Sequence, residues 1–149
     1  MNNRSFAKEE FRHGKYIVTQ PKQNIVVPDW GGSLSPETST RVMYLDSEVI
    51  KGAFYVECVW FWPTDKEDKG SPEPHTHRYD EVIAFFGTDP ENLNDLGAVI
   101  EFWIDGERNL MNQTFMAFIP AGVVHNPLNI LQITRPVFHF AVGPGKMYG

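Results

Sequence analysis

The chain has 149 residues and a formal net charge of −6, a size that predicts one domain around a single core. Its 13 Lys and Arg residues are scattered and form no basic patch, so nucleic acid is not an expected partner. The first ten residues lack the apolar segment of a signal peptide and no run is long enough to cross a bilayer, so we expect a cytoplasmic protein that does not contact membranes.

Residues 1–40 are polar and are interrupted by Pro21, Pro28 and Pro36. Prolines at this spacing favour an extended segment, so this part of the chain is predicted to be an N-terminal arm. Such an arm packs on its own domain or on a neighbouring subunit, because the open edges of a sheet accept added strands. A homodimer is the expected assembly.

Short β-rich segments alternate with turn residues through the remaining chain, 41–149, which is predicted to be one β domain. The predicted strands are 41–45, 53–62, 81–86, 98–104, 114–119 and 136–142. The pair Asp105-Gly106 is typical of a two-residue hairpin turn. Helical periodicity is confined to a short segment at 7–13, so the fold class is all-β, an antiparallel barrel or sandwich.

The second predicted strand contains a charged residue, Glu57, among apolar neighbours. A carboxylate in this position has to face water, a partner or a wet cavity, because burying it unpaired is costly. Glu57 is therefore a candidate general acid or base, with an exposed strand face or a salt bridge between subunits as the alternative.

Four residues have the types and spacing of a metal site. His75 and His77 lie two apart, so on extended backbone both imidazoles point to the same side, and Glu81 keeps that alternation. His125 follows a Pro-x-Gly turn about forty residues later. Three imidazoles and one carboxylate would leave open positions on a six-coordinate metal, as a reactive site requires.

Two further residues are candidates for a catalytic role. Tyr79 has the same strand alternation as the proposed ligands and could donate a hydrogen bond to a substrate. His139 lies between Phe138 and Phe140 in the last predicted strand, so its side chain faces away from both aromatic rings. A proton shuttle near the metal and a hydrogen-bonded core histidine are both open for His139.

The order His-x-His, three residues, Glu, and then Pro-x-Gly-x-x-His-x-x-x-Asn resembles the two signature motifs of the cupin superfamily. The similarity covers 70–129 and extends to a branch of single-domain bacterial cupins through the stretch 80–91. Gly70 and Gly87 each lie one residue nearer the ligands than in the usual motif, and Thr114 stands where the second motif has glycine. The resemblance implies a double-stranded β-helix (jelly roll) and a metal, without implying a reaction.

The expected cofactor is one divalent transition metal per chain: Fe, Mn, Ni, Co or Zn, among which these ligands do not choose. Aromatic residues make up 13% of the chain, which indicates an apolar interior suited to a small carbonyl or aromatic compound. Dioxygenase-type chemistry is the first expectation. A metal-dependent hydrolase, decarboxylase or isomerase, and a non-catalytic barrel that binds a small ligand, are the alternatives.

Overall fold

The computed structural model describes residues 7–28, 31–32, 34–67 and 72–145. Gly70 of the first motif and parts of the N-terminal arm lie outside these ranges. Two 3₁₀ helices, Lys8–Glu10 and Gly14–Tyr16, stand in place of the short helix predicted at 7–13. The strands are β1 (Ser39–Leu45), β2 (Tyr55–Phe61), β3 (Glu81–Phe86), β4 (Asp95–Ile104), β5 (Glu107–Gln113), β6 (Phe115–Ile119), β7 (His125–Ile133) and β8 (Val137–Gly143).

The strands form two antiparallel sheets with the orders β1-β2-β8-β3-β6 and β5-β4-β7. The chain between β2 and β3 crosses to the second sheet, where Thr64 and His75 make isolated antiparallel bridges to the two ends of β7. Apart from the β1–β2 and β4–β5 hairpins, successive segments thus alternate between the sheets, which is the connectivity of a jelly roll. The predicted all-β, double-stranded β-helix fold is confirmed.

Side chains alternate across each strand, and the inner faces of the two sheets enclose the core. In β3 the inward residues are Glu81, Ile83 and Phe85, as the strand alternation predicts. Apolar residues from both sheets fill the space behind them, including Val59, Ile100 and Phe102, each at most 1% exposed. One end of this core opens into the cavity described below.

The outer face of the five-stranded sheet is apolar, although it faces away from the core. Strand register places on it Val56, Cys58, Trp60, Val82, Ala84, Phe86, Met116, Phe118, Phe138, Phe140 and Val142, which we call the outer face. The ring of Trp60 contacts the ring of Phe138, and their centroids are 5.1 Å apart. Met116 and Phe118 are each 61% exposed. A contiguous apolar patch of this kind is typical of an interaction surface.

Two strands, β5 and β7, were not predicted from the sequence. β5 is an edge strand with exposed polar side chains, so it lacks the apolar alternation that marks a strand. β7 contains Pro127 beside a register shift between Phe102 and Ile104 on β4, the kind of position where a strand tolerates proline. The Asp105-Gly106 hairpin is confirmed, since both residues have positive φ between β4 and β5.

Thr114, which replaces the usual motif glycine, connects two parts of the barrel. Its hydroxyl accepts a hydrogen bond from the Gly87 N–H at 2.9 Å and donates one to the Leu93 carbonyl at 2.6 Å. The threonine therefore fixes the start of β6 against the turn that follows β3.

The described part of the arm contacts its own barrel. Ile25 and Leu34 pack against the core, and the Lys22 ammonium lies 2.8 Å from the fully buried Asp46 carboxylate. The boundary at residue 40 and the packing of the arm on another subunit stay predictions. Within the described ranges, no helix has the length and hydrophobicity needed to cross a membrane.

Candidate metal centre

Backbone pairing brings the first and last predicted histidine ligands together. The His75 N–H donates to the His125 carbonyl at 3.1 Å, and the His125 N–H donates to the His75 carbonyl at 3.0 Å. Residues that exchange both hydrogen bonds lie directly opposite each other on antiparallel chains, with their side chains on the same side. The two imidazole centroids are accordingly 4.5 Å apart.

A tight turn holds the second motif against the first. Gly122 has a φ of 83°, and the Val123 N–H donates to the Pro120 carbonyl at 3.1 Å. This is a turn in which glycine is favoured at the third position. The Gly122 N–H donates to the His77 carbonyl, and the Asp80 carboxylate accepts from the Ala121 N–H at 2.9 Å. Asp80 therefore positions this turn, a role that the sequence did not suggest.

The four predicted ligands converge. One ring nitrogen each from His75, His77 and His125 lies within 4.8 Å of the others. The His75 and His77 Nε2 atoms are 3.1 Å apart. Glu81 Oε2 lies 3.4 Å from His77 Nε2, and Glu81 Oε1 lies 3.4 Å from His125 Nε2. Of the four residues, His77, Glu81 and His125 are buried, so the cluster lies inside the barrel.

Hydrogen bonds to carbonyls fix which nitrogen of two histidines carries the proton. His75 Nδ1 lies 2.6 Å from the Glu73 carbonyl and His125 Nδ1 lies 3.0 Å from the Val123 carbonyl. A carbonyl only accepts, so both Nδ1 atoms are protonated and both Nε2 atoms present lone pairs to the cluster. Burial lowers the pKa of His75 to about 4, so its ring is neutral near pH 7.

This arrangement fits a divalent transition metal. Two nitrogens about 2.1 Å from one ion and at right angles to each other lie about 3.0 Å apart, close to the observed Nε2 separation of His75 and His77. His125 Nε2 is buried and has no hydrogen-bond partner among the described residues, as expected of an atom oriented for an ion. The three histidines could hold a metal; the participation of Glu81 stays a prediction.

The cluster opens into a cavity of about 130 Å³ inside the barrel. His75, Glu81 and His125 lie at its wall. Most of the remaining lining is apolar: Ile25, Val27, Leu34, Val59, Phe61, Ile83, Phe85, Leu128, Ile130 and Ala141. An apolar cavity with a few converging polar groups is typical of a small-molecule site.

His139 lies at the same cavity, with its ring held in one orientation. Its Nδ1 donates to the Ala84 carbonyl at 3.0 Å, so Nε2 is the unprotonated nitrogen. The ring stacks on Phe85 with centroids 4.2 Å apart. Burial lowers the pKa of His139, against the opposing effects of the Glu57 charge and the Ala84 carbonyl. The result is a neutral imidazole near pH 7.

No protein-family model matches the sequence, and no curated protein matches it. Solved structures similar to this fold include KdgF from Halomonas sp., at 14% identity and a TM-score of 0.44 over 78% of this chain and 86% of that chain. A protein with a double-stranded β-helix domain from Klebsiella pneumoniae has 17% identity and a TM-score of 0.46 over 85% and 95%. An oxalate oxidase in complex with the substrate analogue glycolate has 16% identity and a TM-score of 0.48 over 80% and 57%.

This chain therefore spans little more than half of the oxalate oxidase chain, and identities and TM-scores this low carry no argument about its reaction. The fold is decided by the strand order of the barrel together with the histidine cluster that its two motifs build. The chain has the cupin fold.

Glu57 also lies at the cavity of the cupin barrel, but it is paired. Its Oε1 accepts from Arg41 Nε at 3.0 Å and its Oε2 accepts from the Tyr55 hydroxyl at 2.7 Å. These contacts form an ion pair and a hydrogen bond within one chain, whereas the sequence alternative was an exposed strand face or a salt bridge between subunits. A role as general acid or base stays untested.

Tyr79 lies beside the histidine cluster and is not among the residues that line the cavity. Its ring stacks on His77, with centroids 4.8 Å apart and planes within 10° of each other. The contact supports the orientation of the His77 imidazole. A hydrogen bond from the Tyr79 hydroxyl to a substrate stays a prediction.

Arg41 is the cavity residue that the sequence interpretation missed. Arg41 pairs with Val59 on β2, and Glu57 lies two residues from Val59 on the same strand face, so Arg41 and Glu57 lie on the same inner side. Alternation along each strand does not reveal this pair, because the register between β1 and β2 is set only when the two strands meet. The sequence feature that could have identified Arg41 is a charged residue at the start of the otherwise apolar predicted strand 41–45.

Proposed function

We propose that this protein is a metal-dependent enzyme acting on a small, rather apolar carbonyl compound inside the barrel. The observation that carries the proposal is that the histidine cluster and the neutral His139 open into one apolar cavity. A Lewis acid and a base at the same small cavity are the parts needed to remove a proton next to a carbonyl group.

In this proposal His75, His77, Glu81 and His125 hold one divalent ion of Fe, Mn, Ni, Co or Zn. The ion would polarise a carbonyl oxygen and, if redox-active, would also provide a site for dioxygen. Imidazole and carboxylate ligands accept all five metals, so the protein's metal content has to be measured.

His139 has the properties of the base. Its Nε2 carries a lone pair because Nδ1 donates to the Ala84 carbonyl. Stacking on Phe85 holds the ring in that orientation. Since burial lowers its pKa, the ring is unprotonated near neutral pH and can take a proton from a substrate carbon.

Glu57 is better suited to balancing charge than to moving protons. Both of its carboxylate oxygens accept hydrogen bonds, one from Arg41 and one from Tyr55, so both oxygens are already engaged within the chain. The apolar walls formed by Phe61, Ile83 and Phe85 limit the water around a reactive carbanion.

Dioxygenase-type chemistry and isomerisation share this first proton transfer, whereas in hydrolysis His139 would take its proton from water and in decarboxylation carbon dioxide would leave in place of the proton. A redox-active metal would supply the chemistry for oxidation of the deprotonated substrate by dioxygen, and we retain this as the leading form of the proposal. With Zn or another metal that does not change its redox state, the same site supports isomerisation, decarboxylation or hydrolysis, which the His139 base favours as the second candidate.

The first test is metal content, measured by plasma mass spectrometry on protein purified without an affinity tag or added metal. We expect close to one transition metal per chain in the parent and none in His77→Ala. His13→Ala is the matched control, because His13 is an exposed histidine of the arm, and it should keep its metal. A parent without metal would contradict the proposal.

The second test is turnover. Iron in the parent calls for oxygen-consumption assays with β-diketones and catechols, whereas zinc or manganese calls for anaerobic exchange of the substrate C–H in deuterium oxide. His139→Asn should retain the metal and lose turnover, because Asn can still donate to Ala84 but has no base at the Nε2 position. Binding without turnover in the parent would instead support a non-catalytic ligand-binding barrel.

We propose also that the outer face pairs with the outer face of a second copy of this chain. The four strands that carry the outer face lie about 4.8 Å apart and have roughly six residues each, so they cover roughly 400 Å² before the added area of protruding side chains is counted. One partner in a stable dimer buries about 800 Å² of accessible surface. An apolar surface without charged residues is complementary to itself across a two-fold axis, which supports a homodimer.

A further inference from the structure

We propose that Arg41 binds a carboxylate of the substrate, so that the cavity accepts a small monocarboxylate whose other polar group faces the histidine cluster. This inference rests on the proposed function, because it concerns the same cavity. It adds the charge and size class of the substrate and the residue that selects it.

Arg41 lies in β1, and its side chain forms part of the cavity wall. The polar residues of the otherwise mostly apolar lining are Arg41, Tyr55, Glu57, His75, Glu81, His125, Asn126 and His139. The Arg41 side chain is 30% exposed, so its guanidinium is partly open to whatever occupies the cavity. A charged group in this position is costly unless it is paired or used in binding.

One hydrogen bond accounts for only part of the guanidinium. Arg41 Nε donates to Glu57 Oε1, and within the described part of the chain no hydrogen bond from either Nη is found. Five N–H donors in a planar fork match the two oxygens of a carboxylate, so four donors remain for a ligand. Tyr55 holds the other oxygen of Glu57 and thereby orients the ion pair.

Charge balance favours an anion. Among the described residues that line the cavity, Arg41 carries a positive charge and Glu57 and Glu81 carry negative charges. The histidines are neutral when they act as ligands. A divalent ion changes the net charge of the cavity from about −1 to about +1, which a monoanion neutralises.

Size and polarity narrow the class of anion. A dry cavity of about 150 Å³ holds one benzene ring, so a cavity of about 130 Å³ holds a molecule of roughly five or six non-hydrogen atoms. A single arginine and a largely apolar wall suit a carboxylate better than a phosphate, which carries more charge and more acceptors. A short branched or cyclic carboxylate fits both conditions.

The test compares isobutyrate with isobutyramide, which have the same shape and differ in charge. The protein is loaded with Zn(II), and affinities are measured by NMR titration of backbone amide signals. We expect the parent to bind isobutyrate at least tenfold more tightly than isobutyramide. Glu57→Gln should tighten isobutyrate binding at least threefold, because it removes a negative charge and releases the Arg41 Nε donor.

The decisive variant is the double substitution Arg41→Gln with Glu57→Gln. Changing Arg41 alone leaves a half-buried carboxylate unpaired and could prevent folding, whereas the double variant removes both charges together. In the double variant the preference for isobutyrate should fall below threefold, while Zn content stays at that of the parent.

Two outcomes would overturn the inference. If the Zn-loaded parent bound the two compounds equally, or bound neither, the cavity would have no preference for a carboxylate. A preference that persists in the double variant would assign it to the metal instead of Arg41. Zn content distinguishes these results from a failure of the proposed function, because a protein that takes up no Zn fails at the histidine cluster.

Discussion

The ring of Tyr79 stacks on the imidazole of His77, with centroids 4.8 Å apart and planes within 10° of each other. Two glycines form the other side of the slot that holds Tyr79. A Cβ atom added to Gly143 would lie 2.3 Å from Cε2 of Tyr79, and one added to Gly145 would lie 2.4 Å from Cδ1. The absence of two side chains therefore lets a tyrosine support a predicted metal ligand.

Gly143→Ala should displace Tyr79 and destabilise the protein by about 1–3 kcal/mol, the usual cost of overpacking. In a Tyr79→Ala background the same change should cost much less, because the colliding ring is gone. Chemical denaturation of the four proteins of this double-mutant cycle measures the coupling. Additive effects would show that the glycine acts independently of Tyr79.

Tyr79→Ala should also weaken metal binding, by about tenfold to a hundredfold, as is usual when a group that orients a metal ligand is lost. Tyr79→Phe keeps the stacked ring and should bind metal like the parent. Competition with a metal chelator measures both affinities. If Tyr79→Phe binds metal normally but loses turnover, the hydroxyl contacts the substrate, as the sequence first suggested.

His139 should titrate below its ordinary pKa of 6.5, because burial disfavours the imidazolium. At pH 7 and above its ¹⁵N spectrum should be that of a neutral ring with the proton on Nδ1. The unfolded chain binds a proton near pH 6.5 and the folded chain does so only at lower pH. This histidine therefore lowers stability as the pH falls below 6.5. A midpoint at or above 6.5 in the NMR titration is the result that contradicts this account.

Asp46 should anchor the arm to the barrel through Lys22. The carboxylate accepts from Lys22 Nζ at 2.8 Å and from the backbone N–H groups of Glu48 and Val49. Burial by itself would raise its pKa, but these hydrogen bonds outweigh burial and lower the pKa below 3.8. The stabilisation is thus complete above about pH 4 and is lost as the pH falls through the lowered value.

Asp46→Asn should cost about 1–3 kcal/mol of unfolding free energy at pH 7, and the cost should shrink in acid as the parent carboxyl becomes protonated. Urea denaturation at several pH values measures this dependence. Glu37→Gln is the control, since it removes a carboxylate from a pair with Lys66 in which both side chains are about three-quarters exposed. That change should cost at most about 0.5 kcal/mol.

Removal of metal should lower the melting temperature. An ion present at a hundred times its dissociation constant stabilises the folded state by about 2.7 kcal/mol, which corresponds to roughly 5–10 °C for a domain of this size. Chelation and reconstitution followed by calorimetry should show a reversible shift in the parent and none in His77→Ala. An unchanged melting temperature of the parent after chelation would show that metal binding does not stabilise the folded state.

Phe118→Glu should disrupt the proposed dimer, because it places a charge on the outer face at a residue that is 61% exposed in the single chain. Light scattering coupled to size-exclusion chromatography should give a dimer for the parent and a monomer for the variant. Leu110→Glu changes an exposed apolar residue of β5, in the other sheet, and should leave the assembly intact. A monomeric parent would contradict the proposal.

Local rules were sufficient where one short segment determines its own geometry. Alternation along extended backbone placed His75 and His77 together, and the Asp105-Gly106 pair gave the β4–β5 hairpin. The same local rules did not predict β5 and β7. In those strands, edge exposure and Pro127 hide the apolar alternation that marks a strand.

By itself, the sequence determined the all-β class, the candidate ligands and which side chains share a face of β3 and β8, because relative side-chain direction follows from strand alternation. Only the tertiary structure decided which groups meet. The register of β1 with β2 that brings Arg41 to Glu57, the glycine slot around Tyr79 and the carbonyl that fixes the His139 proton all depend on contacts between distant segments. Such contacts form only when the two sheets close on each other, and no pattern within one segment encodes them.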